Sequence, residues 1–222
     1  MSTPLPRIAF LHTAKIHIET FDRLLAEHVG QVELQHTVRP DWLERAQREG
    51  LSGDLRTAVS RHLEEMSTHA AVVVCTCSTL GPIADEIAAA GAPVFRIDRP
   101  MIEAAVRCDG TCVVAVCLES TIDPTSQLLE DAYREAGRKA DYEITPCLDA
   151  WPHFEAGDLD AFAAAIANSL RVRLGRGDRV GCIVLAQASM ARAEPLLAEV
   201  GVPVLSSPAL AATEALARSL AR

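Results

Sequence analysis

Aromatic residues are scarce in this sequence of 222 residues, at 4% of the total. A core so poor in rings is built from Ala, Val, Leu and Ile, the composition that suits helices laid on buried parallel strands. An excess of basic charge is also missing. The formal net charge is −9, which leaves no electropositive footprint for nucleic acid or anionic lipid, so neither is expected as a partner. An anionic ligand would have to be met by local donors. No apolar run reaches the roughly 18 residues needed to span a bilayer. Met1 to Phe10 leads straight into a strand without the apolar stretch of an export signal. Of the seven cysteines, Cys75, Cys112, Cys117 and Cys182 sit inside apolar runs. Reduced thiols in a cytoplasmic protein are therefore expected.

Several motifs are lacking too. The Gly175 to Gly181 run precedes a strand instead of following one, and its spacing is wrong for a dinucleotide loop. There is no Gly-Lys-Ser/Thr phosphate loop and no Gly-x-Ser-x-Gly elbow. Nucleotide and serine-triad chemistry have no support.

What is present is a repeat. Val72-Val73-Val74-Cys75-Thr76-Cys77-Ser78-Thr79-Leu80-Gly81-Pro82 is an apolar run that breaks into a helix start, and Ile183-Val184-Leu185-Ala186-Gln187-Ala188-Ser189-Met190 echoes it. At one offset of 110 residues, Cys77 falls on Gln187, Thr79 on Ser189, and Gly91-Ala92-Pro93-Val94 on Gly201-Val202-Pro203-Val204. The pattern predicts a duplicated strand, loop, helix, strand unit.

Along the chain, strands are predicted over 7–13, 31–38, 70–76, 93–97, 111–117, 142–148, 180–186 and 203–206. Helices are predicted over 19–29, 51–69, 82–90, 99–107, 124–136, 159–174, 190–200 and 209–220. Segments around Pro40 and around Trp151-Pro152-His153 read as loops. Alternating strands and helices with short connections predict two pseudo-symmetric, doubly wound parallel sheets of flavodoxin-like α/β type. The halves are placed at 1–108 and 109–208, meeting at Cys108-Asp109-Gly110, with the last helix, 209–222, a candidate to pack back on the first half.

In open parallel sheets, ligands bind beyond the carboxyl ends of the strands. Cys77 and Gln187 hold equivalent places there, and a pseudo-twofold would turn both into one cleft between the halves. A thiol just before a helix start sees backbone N–H groups and the positive end of the helix dipole. The hydroxyls of Ser78, Thr79 and Ser189, with nearby amides, would form an anion nest for a carboxylate. Simpler readings stand beside these. Cys75 and Cys77 are also explained as core thiols, and Ser78 and Thr79 as helix caps. A metal site at Cys75-x-Cys77 is disfavoured by its one-residue spacing.

Cys77-Ser78-Thr79 resembles the Cys-Asn-Thr or Cys-Ser-Thr motif of the aspartate/glutamate/hydantoin racemase superfamily. Val184 to Met190 resembles that superfamily's second motif, of the type Leu-Gly-Cys-Ala-Gly-Met, and the likeness in size and strand order extends over nearly the whole chain. The resemblance implies a cofactor-independent enzyme, commonly a homodimer, that moves a proton at the carbon next to a carboxylate between two cysteines. Related members decarboxylate arylmalonates or isomerise maleate. Here Gln187 stands where the second cysteine belongs, and an amide is neither acid nor base near pH 7, so ordinary two-base racemisation is put in doubt.

The resemblance also matches Ser120 and Thr121, after the fifth strand, to a carboxylate-binding position; a helix cap is the alternative. His12 and Thr13 end the first strand and are candidate substrate contacts, with a structural histidine as the other reading of His12. Cys117, Cys147 and His153 are candidates for a second acid or base. The expected function is a racemase or isomerase-type enzyme with Cys77 as acid/base or nucleophile and Gln187 beside it. Ser78, Thr79, Ser120, Thr121, Ala188 and Ser189 would hold a small carboxylate substrate. The alternatives are a decarboxylase of a malonate-like substrate, a non-catalytic carboxylate sensor, and a thiol-redox protein using Cys75 and Cys77.

Overall fold

The computed structural model describes residues 4–221. The elements run β1 (Arg7–His12), α1 (Ile16–Leu24), β2 (Glu33–Val38), α2 (Pro40–Glu49), α3 (Gly53–Ser67), β3 (Val72–Cys75), α4 (Gly81–Ala89) and β4 (Val94–Arg96). There follow α5 (Arg99–Ala105), β5 (Thr111–Val116), α6 (Ile122–Glu135), β6 (Tyr142–Pro146), α7 (Trp151–Glu155), α8 (Leu159–Leu174), β7 (Val180–Leu185), β8 (Val204–Ser206) and α9 (Ser207–Leu220). They form two compact units, one of residues up to Ile97 with those from Pro208 onward, the other Asp98–Ser207. Each unit holds a four-stranded parallel sheet, in the orders β2-β1-β3-β4 and β6-β5-β7-β8. The common order and the common direction of the strands establish the doubly wound α/β class and the internal repeat.

In the first unit the central strands are buried on both faces, which is why they read as unbroken apolar runs. On one face Ala9, Leu11, Val73 and Cys75 join an apolar cluster with Trp42, Leu55, Val59, Leu63 and Ile83. The three- and four-residue spacing in α3 puts Leu55, Val59 and Leu63 on one stripe, and the Ser52 hydroxyl caps the helix by accepting from Leu55 N. Burying each such side chain contributes about 1.5–3 kcal/mol. On the other face Phe10 packs against Phe21 of α1, ring centroids 4.4 Å apart, and Arg218 of α9 lies 4.6 Å over the Phe95 ring.

In the second unit Phe162, Ile166 and Leu170 of α8 cover Val113, Ala115, Ile183 and Leu185. The buried Arg173 guanidinium ties Glu143 of β6 to Asp178 at 2.6 to 2.8 Å.

The structure differs from the sequence reading in four places. Pro40 opens a helix, α2, instead of a loop; its proline sits in the first turn, where no N–H is needed, and Trp42 and Ala46 bury one narrow stripe. His153 lies on the short helix α7, exposed, instead of in a loop. The segment predicted as an α-helix over 190–200 is a 3-10 helix, Ala188–Leu197, interrupted by Pro195, which has no N–H to offer. Finally, the chain divides at Ile97, not at 108, since α5 packs on α6 and β7. The Asp109-Gly110 turn lies so close to Gly181 that a Cβ there would stand 2.8 Å from the carbonyl oxygens of both residues. Among the described residues no helix is long and apolar enough to cross a membrane.

Candidate active site

Each sheet presents a polar strand end in an otherwise apolar interior. In the first unit, Cys77 follows β3 in extended backbone and starts a 3-10 turn, Ser78–Leu80, that passes into α4. Cys77, Ser78 and Thr79 are all buried, Cys77 keeping 6% of its surface where Cys75 keeps 0%. Cys77 belongs to the apolar cluster that includes Leu80 and Trp42. The N-cap of α4 is Leu80, so neither Ser78 nor Thr79 occupies that position. All seven cysteines are thiols.

The turn is held from β4. The buried Arg96 guanidinium pairs with Asp85 at 3.1 Å and donates to the Ser78 carbonyl at 3.5 Å. It lies so close over Gly81 that a Cβ there would stand 2.5 Å from the guanidinium carbon. The repeat makes the same kind of contact with smaller parts. Ser206 equates with Arg96 and donates to Glu194 at 2.7 Å, and Ala191 equates with Gly81.

In the second unit the ends of β5, β6 and β7 gather Cys117, Cys147 and Gln187. Gln187 Oε1 accepts the Cys117 N–H at 2.9 Å, while the buried Nε2 has no hydrogen-bond partner among the described residues. A backbone N–H must face the amide oxygen, so the bond also fixes which end of the amide is left to donate. Burial pushes the Cys147 thiol up to about 11 and the Cys117 thiol higher still, the neighbouring sulfur adding to the effect on Cys117. Both are neutral thiols near pH 7, poor bases. Thr121, buried at the N-cap of α6, makes no capping bond; Ser120 and Ser189 are half-buried and Ala188 is buried.

His12 is fully buried, with both ring nitrogens engaged. Nδ1 is 2.8 Å from Thr76 Oγ1 and Nε2 is 2.8 Å from His36 Nδ1. No ring nitrogen is left for a substrate, and the expected substrate contact becomes an internal one. Thr13, beside it, is buried. Desolvation, then the neighbouring His17 and His36, pushes His12 down to about 3, and desolvation pushes His17 down to about 4. His36 is also lowered by burial, opposed by Asp22 at 3.2 Å. Sequence reasoning missed Thr76, His17, His36 and Arg96. The signal for His36 was available: it holds an inward position, between Leu34 and Val38, in the alternating strand β2. Among the described residues no group of three or more His, Cys, Asp or Glu is placed to hold a metal ion.

No protein-family model and no curated protein matches the chain. Solved structures do. A glutamate racemase from Bacillus anthracis is similar with a TM-score of 0.72 at 16% identity, over 96% of this chain and 80% of that one. An aspartate racemase from Picrophilus torridus gives 0.71 at 11% identity, over 96% and 94% of the two chains. For an allantoin racemase from Pseudomonas fluorescens the values are 0.57 and 16%, over 95% and 89%. The chain therefore has the α/β fold of the aspartate, glutamate and allantoin racemases, in line with the resemblance read from its two motifs.

Proposed function

We propose that this protein is a cofactor-independent enzyme of the aspartate/glutamate/hydantoin racemase type, a racemase or isomerase acting at the carbon next to a carboxylate. Cys77 is the thiol that exchanges a proton with that carbon. Gln187 offers Nε2–H to the substrate carboxylate or to the enediolate formed from it. Ser78, Thr79, Ser120, Thr121, Ala188 and Ser189 complete the ligand set. The single observation that carries the reading is the equivalence of Cys77 and Gln187 after corresponding strands, β3 and β7, with the Gln187 amide locked by Cys117 N–H so that one donor is left unpaired. An unpaired buried donor costs about 1–3 kcal/mol, which a bound carboxylate would return.

A second reading has its own support. With an amide in place of one thiol, Cys77 would protonate a single face of the enediolate left when a malonate-like substrate loses CO₂. One experiment separates the readings. The protein is incubated in deuterated buffer with aspartate, glutamate, hydantoins, allantoin, substituted malonates and maleate, and followed by proton NMR. Exchange, inversion or isomerisation supports the first reading, and CO₂ loss the second, each abolished by Cys77→Ala. Tight binding without turnover would instead mark a carboxylate sensor.

A further inference from the structure

Arg96 carries a permanent positive charge into the interior of the first unit, on the sheet face that holds Cys77. Its register partner is Cys75, and paired residues of neighbouring parallel strands point the same way. Cys75 and Cys77 share one apolar cluster with Leu80, Trp42 and Ile83. From β4 the guanidinium reaches the turn that follows Cys77. It is 3.5 Å from the Ser78 carbonyl, lies over Gly81 at the start of α4, and pairs with Asp85 one turn further on. The cation side chain is 2% exposed and the carboxylate side chain 30%, so water screens the carboxylate more. The place is unfavourable for a cation, because the first turn of a helix is the positive end of its dipole. A buried ion pair there is weak evidence of added stability.

The duplicate forms the same turn without it. Arg96 and Ser206 hold the same register, on Cys75 and on Leu185, which are themselves equivalent at the offset of 110. Cys77 and Gln187 both stand in extended backbone, with φ of −109° and −110°. Each carbonyl accepts the N–H three residues on, from Leu80 at 3.1 Å and from Met190 at 2.9 Å. The turn therefore closes in both copies, and a neutral serine replaces the arginine in the copy whose residue is an amide that does not ionise. The cation accompanies the copy whose residue can lose a proton. That residue also has need of it, since apolar neighbours disfavour a thiolate unless a positive charge stands nearby.

We propose that Arg96 is a positioning residue for the reaction, holding Cys77 as a reactive thiolate through the field of its buried charge and its hold on the Ser78 carbonyl. This rests on the racemase-type function proposed above, in which Cys77 must accept the proton of the reacting carbon. The thiol first gives its own proton to water. The sulfur anion so formed takes the proton of the carbon, and the C–H electron pair passes into the carboxylate as an enediolate. The helices packed on the turn are α4 and α2. On α4, Asp85 pairs with Arg96 and Glu86 with Arg56 at the surface. On α2, Trp42 and Ala46 face inward, while Asp41 and Arg45 pair outside with Arg39 and Glu49. On the chain leaving β4, Asp98 is buried two positions beyond Arg96. Of these groups Arg96 is the buried cation.

The test reads Cys77 directly and needs no substrate. The whole protein is alkylated with iodoacetamide from about pH 5 to 10, and modification of Cys77 is followed by mass spectrometry. Arg96→Met should move the rate profile to higher pH and cut the rate at pH 7, relative to the plateau at high pH, by about tenfold or more. Arg96→Lys should restore the profile. Asp85→Asn keeps the cation and removes its counter-charge, so it should move the profile to lower pH. Loosened packing would raise the plateau without moving the profile. Profiles that stay put, or that move the same way in Arg96→Met and Asp85→Asn, would overturn the proposal. If Arg96→Met does not fold, Asp85→Asn and Arg96→Lys decide. On whichever carboxylate turns over, Arg96→Met should lower kcat at pH 7 by a like factor with KM held. Profiles that respond as expected in a protein that turns nothing over would uphold the thiolate and count against the proposed reaction instead.

Discussion

Gln187 and Cys117 are joined by one hydrogen bond, the Cys117 N–H to Gln187 Oε1 at 2.9 Å, and that bond orients the amide so that Nε2 stays buried and unpaired. The pair lies where the resemblance expects a second catalytic thiol. In the proposed reading the pair holds a ligand rather than moving a proton, since neither the amide nor a neutral Cys117 thiol serves as a base.

Two substitutions separate the halves of that role. Gln187→Leu removes the acceptor and orphans the buried Cys117 N–H, so unfolding stability should fall by about 1–3 kcal/mol in urea titrations. Gln187→Glu keeps an acceptor for Cys117 but turns the unpaired donor into an acceptor. Carboxylate binding measured by calorimetry should weaken at least about tenfold, with a smaller change in urea midpoint than Gln187→Leu shows.

Gly81 and Arg96 should behave as one unit. Because a Cβ on Gly81 meets the pinned guanidinium, Gly81→Ala is expected to cost about 1–3 kcal/mol as overpacking. In an Arg96→Ala background that penalty should vanish, and a double-mutant cycle measures the coupling. Additive effects would show that the guanidinium swings clear at little cost.

The buried histidines make stability depend on pH. His17 is held down to about 4 by burial, against an ordinary value of about 6.5. Between those values the unfolded chain binds the proton and the folded chain does not. Stability from this residue is therefore full above about pH 6.5 and declines as pH falls toward 4, by up to about 1.4 kcal/mol per pH unit per proton. His17→Phe should flatten the slope of unfolding free energy against pH in that window by about one proton. An unchanged slope would mean that His17 protonates freely in the folded protein.

Arg173 should set the acid limit of the second unit. Its hydrogen bonds hold the Glu143 and Asp178 carboxyls below their ordinary range. Depressed carboxyls stabilise above their unfolded pKa and lose that contribution as pH falls through the folded one, so the wild type should lose stability below about pH 4. Arg173→Met should lower the urea midpoint at pH 7 and shrink the difference from wild type at pH 3. A constant difference across that range would exclude the ion pairs as its cause.

The sequence by itself determined the two-sheet α/β class, because buried parallel strands must be apolar on both faces and the 110-residue repeat is written in the residues. It also marked Cys77 and Gln187 as equivalent, since equivalence by duplication needs only an offset. The tertiary structure decided which groups touch: Arg96 reaching back over Gly81, Gln187 bound to Cys117, and His12 linked to Thr76 and His36. Those partners lie 15 to 70 positions apart in the chain, and no local periodicity encodes a contact made across strands. It likewise made helices of the Pro40 and Trp151 segments, whose narrow apolar stripes acquire meaning only when a sheet lies beneath them.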